Sequence, residues 1–110
     1  MTHQQTDAII IGSGQGGVPL AIDLAGEGQD VVLFERGTWG GSCTNYGCTP
    51  SKMLLASAHA ANAARQATDL NVHAVVTVDF PAIMAHIRET TASWSQGARS
   101  RLEDAGVHLV

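Results

Sequence analysis

Cys43 and Cys48 are the two cysteines of the 110 residues. With four residues between them, a loop that folds back can join the sulfurs as a disulfide. Cys48 stands directly ahead of a helix opened by Thr49-Pro50, where the helix dipole favours a thiolate and exchange chemistry. In a reducing compartment such a close pair is more often catalytic or metal-binding than a structural staple. A zinc site needs about four ligands, and His3, His59, His73, His86 and His108 show no ligand spacing. No metal site is expected. Two unlinked structural cysteines are the plainer alternative.

A second constellation precedes the cysteines. Gly12-Ser13-Gly14-Gln15-Gly16-Gly17 satisfies G-x-G-x-x-G, a weak signal alone. It gains weight because it follows an apolar run, opens a helical stretch and precedes an acidic residue, Glu35, at the end of the next apolar run. Gly12 permits the tight turn, Gly14 lets backbone approach a pyrophosphate, and Gly17 lets helix and sheet pack closely. The helix start offers N–H groups and a positive dipole end to the anion. Glu35 is placed to accept from ribose hydroxyls. The plainer reading is a glycine turn that only joins strand to helix, with Glu35 a solvated charge.

The elements that must position these groups follow from local pattern. Ala8-Ile9-Ile10-Ile11 reads as a strand buried on both faces, as in parallel sheets. A helix is expected from about Gln15 to Ala25, closed by Gly26 and Gly28, and Asp30 to Phe34 reads as a second buried strand. Strand, helix, strand is a βαβ unit. Gly37 to Gly47 reads as a loop, Ser51 to about Ala67 as one long helix, and Asp69 to Val78 as either a short strand or an extended loop. Asp79 looks like an N-cap ahead of Pro81. Behind it, Phe80, Ile83, Met84, Ile87, Thr91, Trp94, Ala98 and Leu102 form one helical stripe, with Trp94 and Met84 read as packing residues. Gly106 suits the end of that helix, and Val107 to Val110 begins another strand. The fold class is α/β: a Rossmann-like βαβ start followed by a pair of helices, in an incomplete domain.

Composition narrows the function. Apolar residues at 45% and charged residues at 15% fit a folded globular chain. A net charge of -4 argues against a nucleic-acid partner. No run reaches the roughly 18 apolar residues of a spanning helix, so no membrane partner is expected. Met1 to Asp7 has no basic stretch ahead of an apolar one and does not read as a signal peptide, so a cytoplasmic location is expected.

Gly40-Gly41-Ser42-Cys43-Thr44-Asn45-Tyr46-Gly47-Cys48-Thr49-Pro50-Ser51-Lys52 resembles the active-site signature GG-T/S-C-x-N-x-G-C-x-P-S/T-K. That signature belongs to the class I pyridine nucleotide–disulfide oxidoreductases, which include glutathione reductase, dihydrolipoamide dehydrogenase and mercuric reductase. The resemblance is specific from about Asp7 to Lys52 and carries little motif content beyond. It implies an FAD-dependent enzyme in which NAD(P)H reduces FAD and the flavin passes two electrons to a Cys43–Cys48 disulfide. Cys48 would be the flavin-proximal sulfur and Cys43 the interchange thiol that meets the substrate. Cys43 is accordingly expected to be the more accessible sulfur, alkylated first after reduction. Lys52, one helical turn past Cys48, would lie near the reactive edge of the flavin. The implied cofactor-binding set is Gly12, Gly14, Gln15, Gly16, Gly17, Glu35, Arg36, Gly41 and Ser42, together with Cys43, Cys48 and Lys52. Thr49 departs mildly from the usual aliphatic residue between cysteine and proline.

The resemblance also implies what 110 residues do not hold: an NAD(P)H domain and a dimerisation domain. Residues 1–110 are therefore read as the N-terminal part of an FAD/NAD(P)-binding domain of a longer homodimeric enzyme, inactive alone. The substrate would be a small disulfide, a dithiol or a mercuric species. The competing reading is a flavin-binding module, or a truncated stub without turnover.

Overall fold

The chain's apolar runs assemble a three-stranded parallel sheet around one βαβ unit. The structure is a computed structural model describing residues 5–110; the first part of the Met1–Asp7 segment, with His3, lies outside the described residues. β1 (Ala8–Ile11), α1 (Gly17–Gly26) and β2 (Val31–Phe34) form the unit, and β3 (His108–Leu109) adds beside β2 in the order β1-β2-β3. Ala8 pairs with Val31 and Val32 with His108, all parallel. The expected strand at Val107–Val110 is thus present, and Val110 N–H extends its pairing to Leu33.

One face of the sheet carries the core. Val31 and Leu33 point into it and meet Val18 and Ala21 of α1 and Leu102 and Val107 from the C-terminal end of the chain. Leu33 and Leu102 are fully buried. Removing such a side chain leaves a cavity and costs about 2–5 kcal/mol. The opposite face is open: Ile9 is 63% and Ile11 87% exposed. The expectation that β1 is buried on both faces is corrected accordingly, because α1 and α4 both pack on the same side.

After β2 the chain does more than loop. A short helix α2 (Gly41–Asn45) interrupts the stretch read as loop, and α3 (Cys48–Gln66) starts at Cys48 itself, not after it. α3 ends in a 3₁₀ turn at Ala67–Leu70, closed by Asn71 in the left-handed region at φ 60°, which asparagine tolerates. The 69–78 segment beyond that turn holds no strand. α4 (Phe80–Asp104) begins as expected, with the Asp79 carboxylate accepting from Ala82 N–H at 3.0 Å and Pro81 in its first turn. It ends at Gly106, whose φ of 82° lets Val107 N–H reach back to Leu102 O at 3.0 Å. Within the α4 stripe Ile87, Ala98 and Leu102 are buried, whereas Trp94 is 56% exposed. Trp94 is therefore not the packing residue its spacing predicts. α3 and α4 run as an extended pair, so the molecule measures 73 × 25 × 18 Å. No helix of the described residues is long and apolar enough to cross a membrane.

Candidate functional site

The glycine turn and the cysteine loop meet at the C-terminal ends of β1 and β2. Gly17 opens α1 against the strand so closely that a Cβ there would lie 2.0 Å from Gly12 O. Gly41, at φ 75°, also lies tight on the turn: its Cβ would come 2.6 Å from Gly14 Cα. These two glycines are required by packing. Gly14 is different, since a Cβ on it would meet nothing within 4 Å. The space in front of Gly14 is open, next to a helix start that has no side-chain cap and no acidic residue in its first turn. That is the arrangement a dinucleotide's pyrophosphate needs, so the residues present fit the group.

Ser13, between the first two glycines, ties the site together and was not singled out by its sequence. It is fully buried. Its backbone N–H donates to Glu35 Oε2 at 2.9 Å, and its hydroxyl donates to the same oxygen and accepts from Gly40 N–H at 3.2 Å. Gly37 N–H donates to Glu35 Oε1 at 2.8 Å. The Ser13 hydroxyl is the main cause that holds the Glu35 carboxyl below its ordinary value, with the Ser13 and Gly37 N–H groups and the neighbouring Arg36 acting the same way against partial burial. Oε1, which accepts only the Gly37 N–H bond, keeps a further lone pair for a ribose hydroxyl. The only sequence signal for Ser13 was a polar side chain inside a glycine turn; its partner Gly40 lies 27 residues away.

Because Glu35 titrates below its unfolded value, its contribution is complete above the ordinary carboxylate range and is lost as pH falls through the lowered folded value. Ser13→Ala is expected to cost about 1–3 kcal/mol at neutral pH, through the lost carboxylate bond and an unpaired Gly40 N–H. The Glu35-linked part of that cost should fade on acidification. Urea denaturation of both proteins at neutral and acid pH checks this, and a pH-independent difference would sever Ser13 from Glu35.

Further bonds carry the turn to the cysteines. Gln15 Nε2 donates to Gly40 O at 3.4 Å and to Thr44 Oγ1 at 3.3 Å. Asn45 Nδ2 donates to Trp39 O at 2.9 Å and to Gly41 O at 2.8 Å, pinning α2 to the loop before it. Cys43 on α2 and Cys48 at the first position of α3 are joined as a disulfide with Cα atoms 4.7 Å apart. As a whole residue Cys48 is exposed and Cys43 half-buried in this disulfide-bonded chain. The reason is local. α3 buries none of its residues, while α2 is held between the glycine turn and α4.

A cleft of about 560 Å³ opens between α2 and α4, lined by Gln15, Cys43, Thr44, Trp94, Gly97 and Arg101 among others; Cys48 does not line it. Lys52 sits four residues after Cys48 on α3 and is exposed, as are Ser42 and Arg36. Ser42 adjoins Gly41 beside the glycine turn, and among the described residues neither its side chain nor that of Lys52 hydrogen-bonds to the turn. Among the described residues no cluster of histidine, cysteine or acidic side chains could hold a metal ion.

A family profile described as pyridine nucleotide-disulphide oxidoreductase matches residues 6–110. The chain is 38% identical over 105 residues, or 96% of its length, to dihydrolipoyl dehydrogenase 2 of Haloarcula marismortui, of which it covers 22%. It is 45% identical over 85 residues, or 76% of its length, to the mercuric reductase of Streptomyces lividans, of which it covers 18%. With the dihydrolipoyl dehydrogenase of Geobacillus stearothermophilus it shares 32% identity over 107 residues, which is 96% of the chain and 23% of that protein. The chain thus spans about a fifth of the length of these relatives.

Proposed function

Because the chain belongs to the pyridine nucleotide-disulphide oxidoreductase family, we propose that it forms the flavin- and disulfide-bearing part of an enzyme moving electrons from NAD(P)H, through FAD, to Cys43–Cys48. From there they pass to a small disulfide or mercuric substrate, whereas a small dithiol would feed electrons in along the same path in reverse. FAD and NAD(P)H are the cofactors of that family. The observation that carries the reading is the direct contact of Gly41 with Gly14, which sets a disulfide on the very loop that abuts the dinucleotide turn. In its full-length form the protein is a cytoplasmic homodimer on this reading, and residues 1–110 alone do not turn over.

Bound FAD would supply the two electrons that open the Cys43–Cys48 bond. The chain's own part is to hold the cofactor's pyrophosphate at Gly14–Gly17 and its ribose at Glu35, and to present the two sulfurs differently. Cys48, at the first position of a 19-residue helix, is stabilised as a thiolate by the helix dipole. Cys43, on the cleft, attacks a substrate disulfide. One substrate thiol leaves and a mixed disulfide forms on Cys43. The Cys48 thiolate then attacks Cys43, the second substrate thiol leaves, and the internal disulfide is restored. Two electrons and two protons thereby reach the substrate, and two cysteines are oxidised.

Lys52 is the remaining cation of the motif. Its place one turn into α3 fits a role at the flavin's reactive edge, where a positive charge stabilises the electron-rich reduced ring.

Anaerobic titration of the FAD-loaded protein with dithionite tests the reading. The first two electrons are expected to open the disulfide, so that two thiols appear before the flavin bleaches. Flavin bleaching from the first addition, with no thiols released, would overturn it and leave the flavin-binding module as the better account.

A further inference from the structure

Helical spacing places Trp94, Gly97 and Arg101 on one face of α4, at positions three and then four residues apart. All three line the Cys43 cleft, with Gln15 and Ser93 at its sides and no acidic residue among its lining. Gly97 contributes no side chain, so the floor between the indole and the guanidinium stays open. Trp94 keeps 56% of its surface exposed, an unsatisfied apolar face beside a polar tip. Arg101 is exposed and forms no ion pair with any described residue. Its neighbour Arg99 behaves otherwise: Arg99 Nε binds Glu103 Oε1 at 2.9 Å, and its guanidinium lies over the Trp39 ring, 5.8 Å from the centroid. An unpaired guanidinium fork in the cleft that Cys43 lines, with no acidic residue in that lining, suits a carboxylate.

We propose that the cleft selects low-molecular-weight disulfides bearing a carboxylate, with Arg101 binding the anion and Trp94 covering the carbon skeleton while Cys43 meets the sulfur. This rests on the reductase reading above and adds the substrate's charge to it. A cationic substrate such as a mercuric ion is disfavoured by the same guanidinium. Because Arg101 is exposed, its effect is modest and lies in KM more than in kcat.

The test uses the FAD-loaded full-length protein with NAD(P)H and two matched probes, dithiodipropionate and its neutral diamide. The dicarboxylate is expected to show a KM about 2- to 5-fold lower than the diamide, the range an exposed charge pair provides. Arg101→Gln should erase that ratio and Arg101→Glu should invert it. Flavin absorbance of each variant reports that the fold is kept. Equal KM values in the parent protein, or a ratio untouched by Arg101→Gln, overturn the charge assignment and leave the reductase reading standing. Failure to reduce either probe overturns the carboxylate-disulfide proposal, while the dithionite titration decides the reductase reading separately.

Discussion

Cys43→Ser in the flavin-loaded protein is expected to lower disulfide reduction by about 10³-fold or more, equivalent to about 4 kcal/mol. It should nevertheless retain a long-wavelength absorbance, because on the proposed reading Cys48, at the first position of α3, remains as the thiolate beside the flavin. Cys48→Ser should lower turnover comparably and remove the absorbance. The two variants thus separate roles that the disulfide alone leaves symmetric. The structure adds a second readout. Cys48 is the exposed residue and Cys43 the half-buried one, so in the reduced, flavin-free protein Cys48 should be alkylated first. Loading FAD should cover Cys48 and leave Cys43 open through the α4 cleft, which reverses the order. Mass spectrometry of singly labelled peptides with and without FAD decides this. If Cys48 were labelled first in both states, or if the absorbance followed Cys43, the assigned roles would be exchanged.

The unequal exposure of the two cysteines shows where one-dimensional reading stops. β1, β2, the Asp79 cap and the Gly106 stop were legible because each depends on neighbours within a few positions: a β-branched run, a side chain reaching the N–H three residues on, a glycine at positive φ. α2 was not, since Gly-Ser-Cys-Thr-Asn has no apolar period and its N-cap, Gly40, sits at φ 95°. The cysteine spacing signalled a disulfide, but the different exposure of the two residues is set by α4, which begins more than thirty residues later. Ser13 and Arg101 escaped for the same reason. Their meaning lies in partners brought near only by the βαβ crossover and the return of α4. The exposed Ile9 and Ile11 mark the opposite case: composition reads them as core, yet a strand's second face is buried only when something packs there.

Two glycines of the turn should separate under mutation, Gly17 serving the fold and Gly14 the cofactor. Gly17→Ala places a methyl group 2.0 Å from Gly12 O, a backbone atom that cannot step aside without moving β1 from α1. Overpacking of that kind costs about 1–3 kcal/mol, and a backbone clash belongs at the upper end, so the urea midpoint should fall with or without FAD. A Cβ at Gly14 would meet nothing within 4 Å, so Gly14→Val should change apoprotein stability by only about 0.5 kcal/mol. The same side chain occupies the space a pyrophosphate must enter, so FAD affinity should fall by about 100-fold or more, near 2.7 kcal/mol. Paired measurements of urea midpoint and flavin dissociation constant for the two variants therefore fall in different quadrants. Gly14→Val that keeps its FAD would mean the open space is not the pyrophosphate site. Gly14→Val that unfolds would mean the turn is held by contacts this structure does not contain.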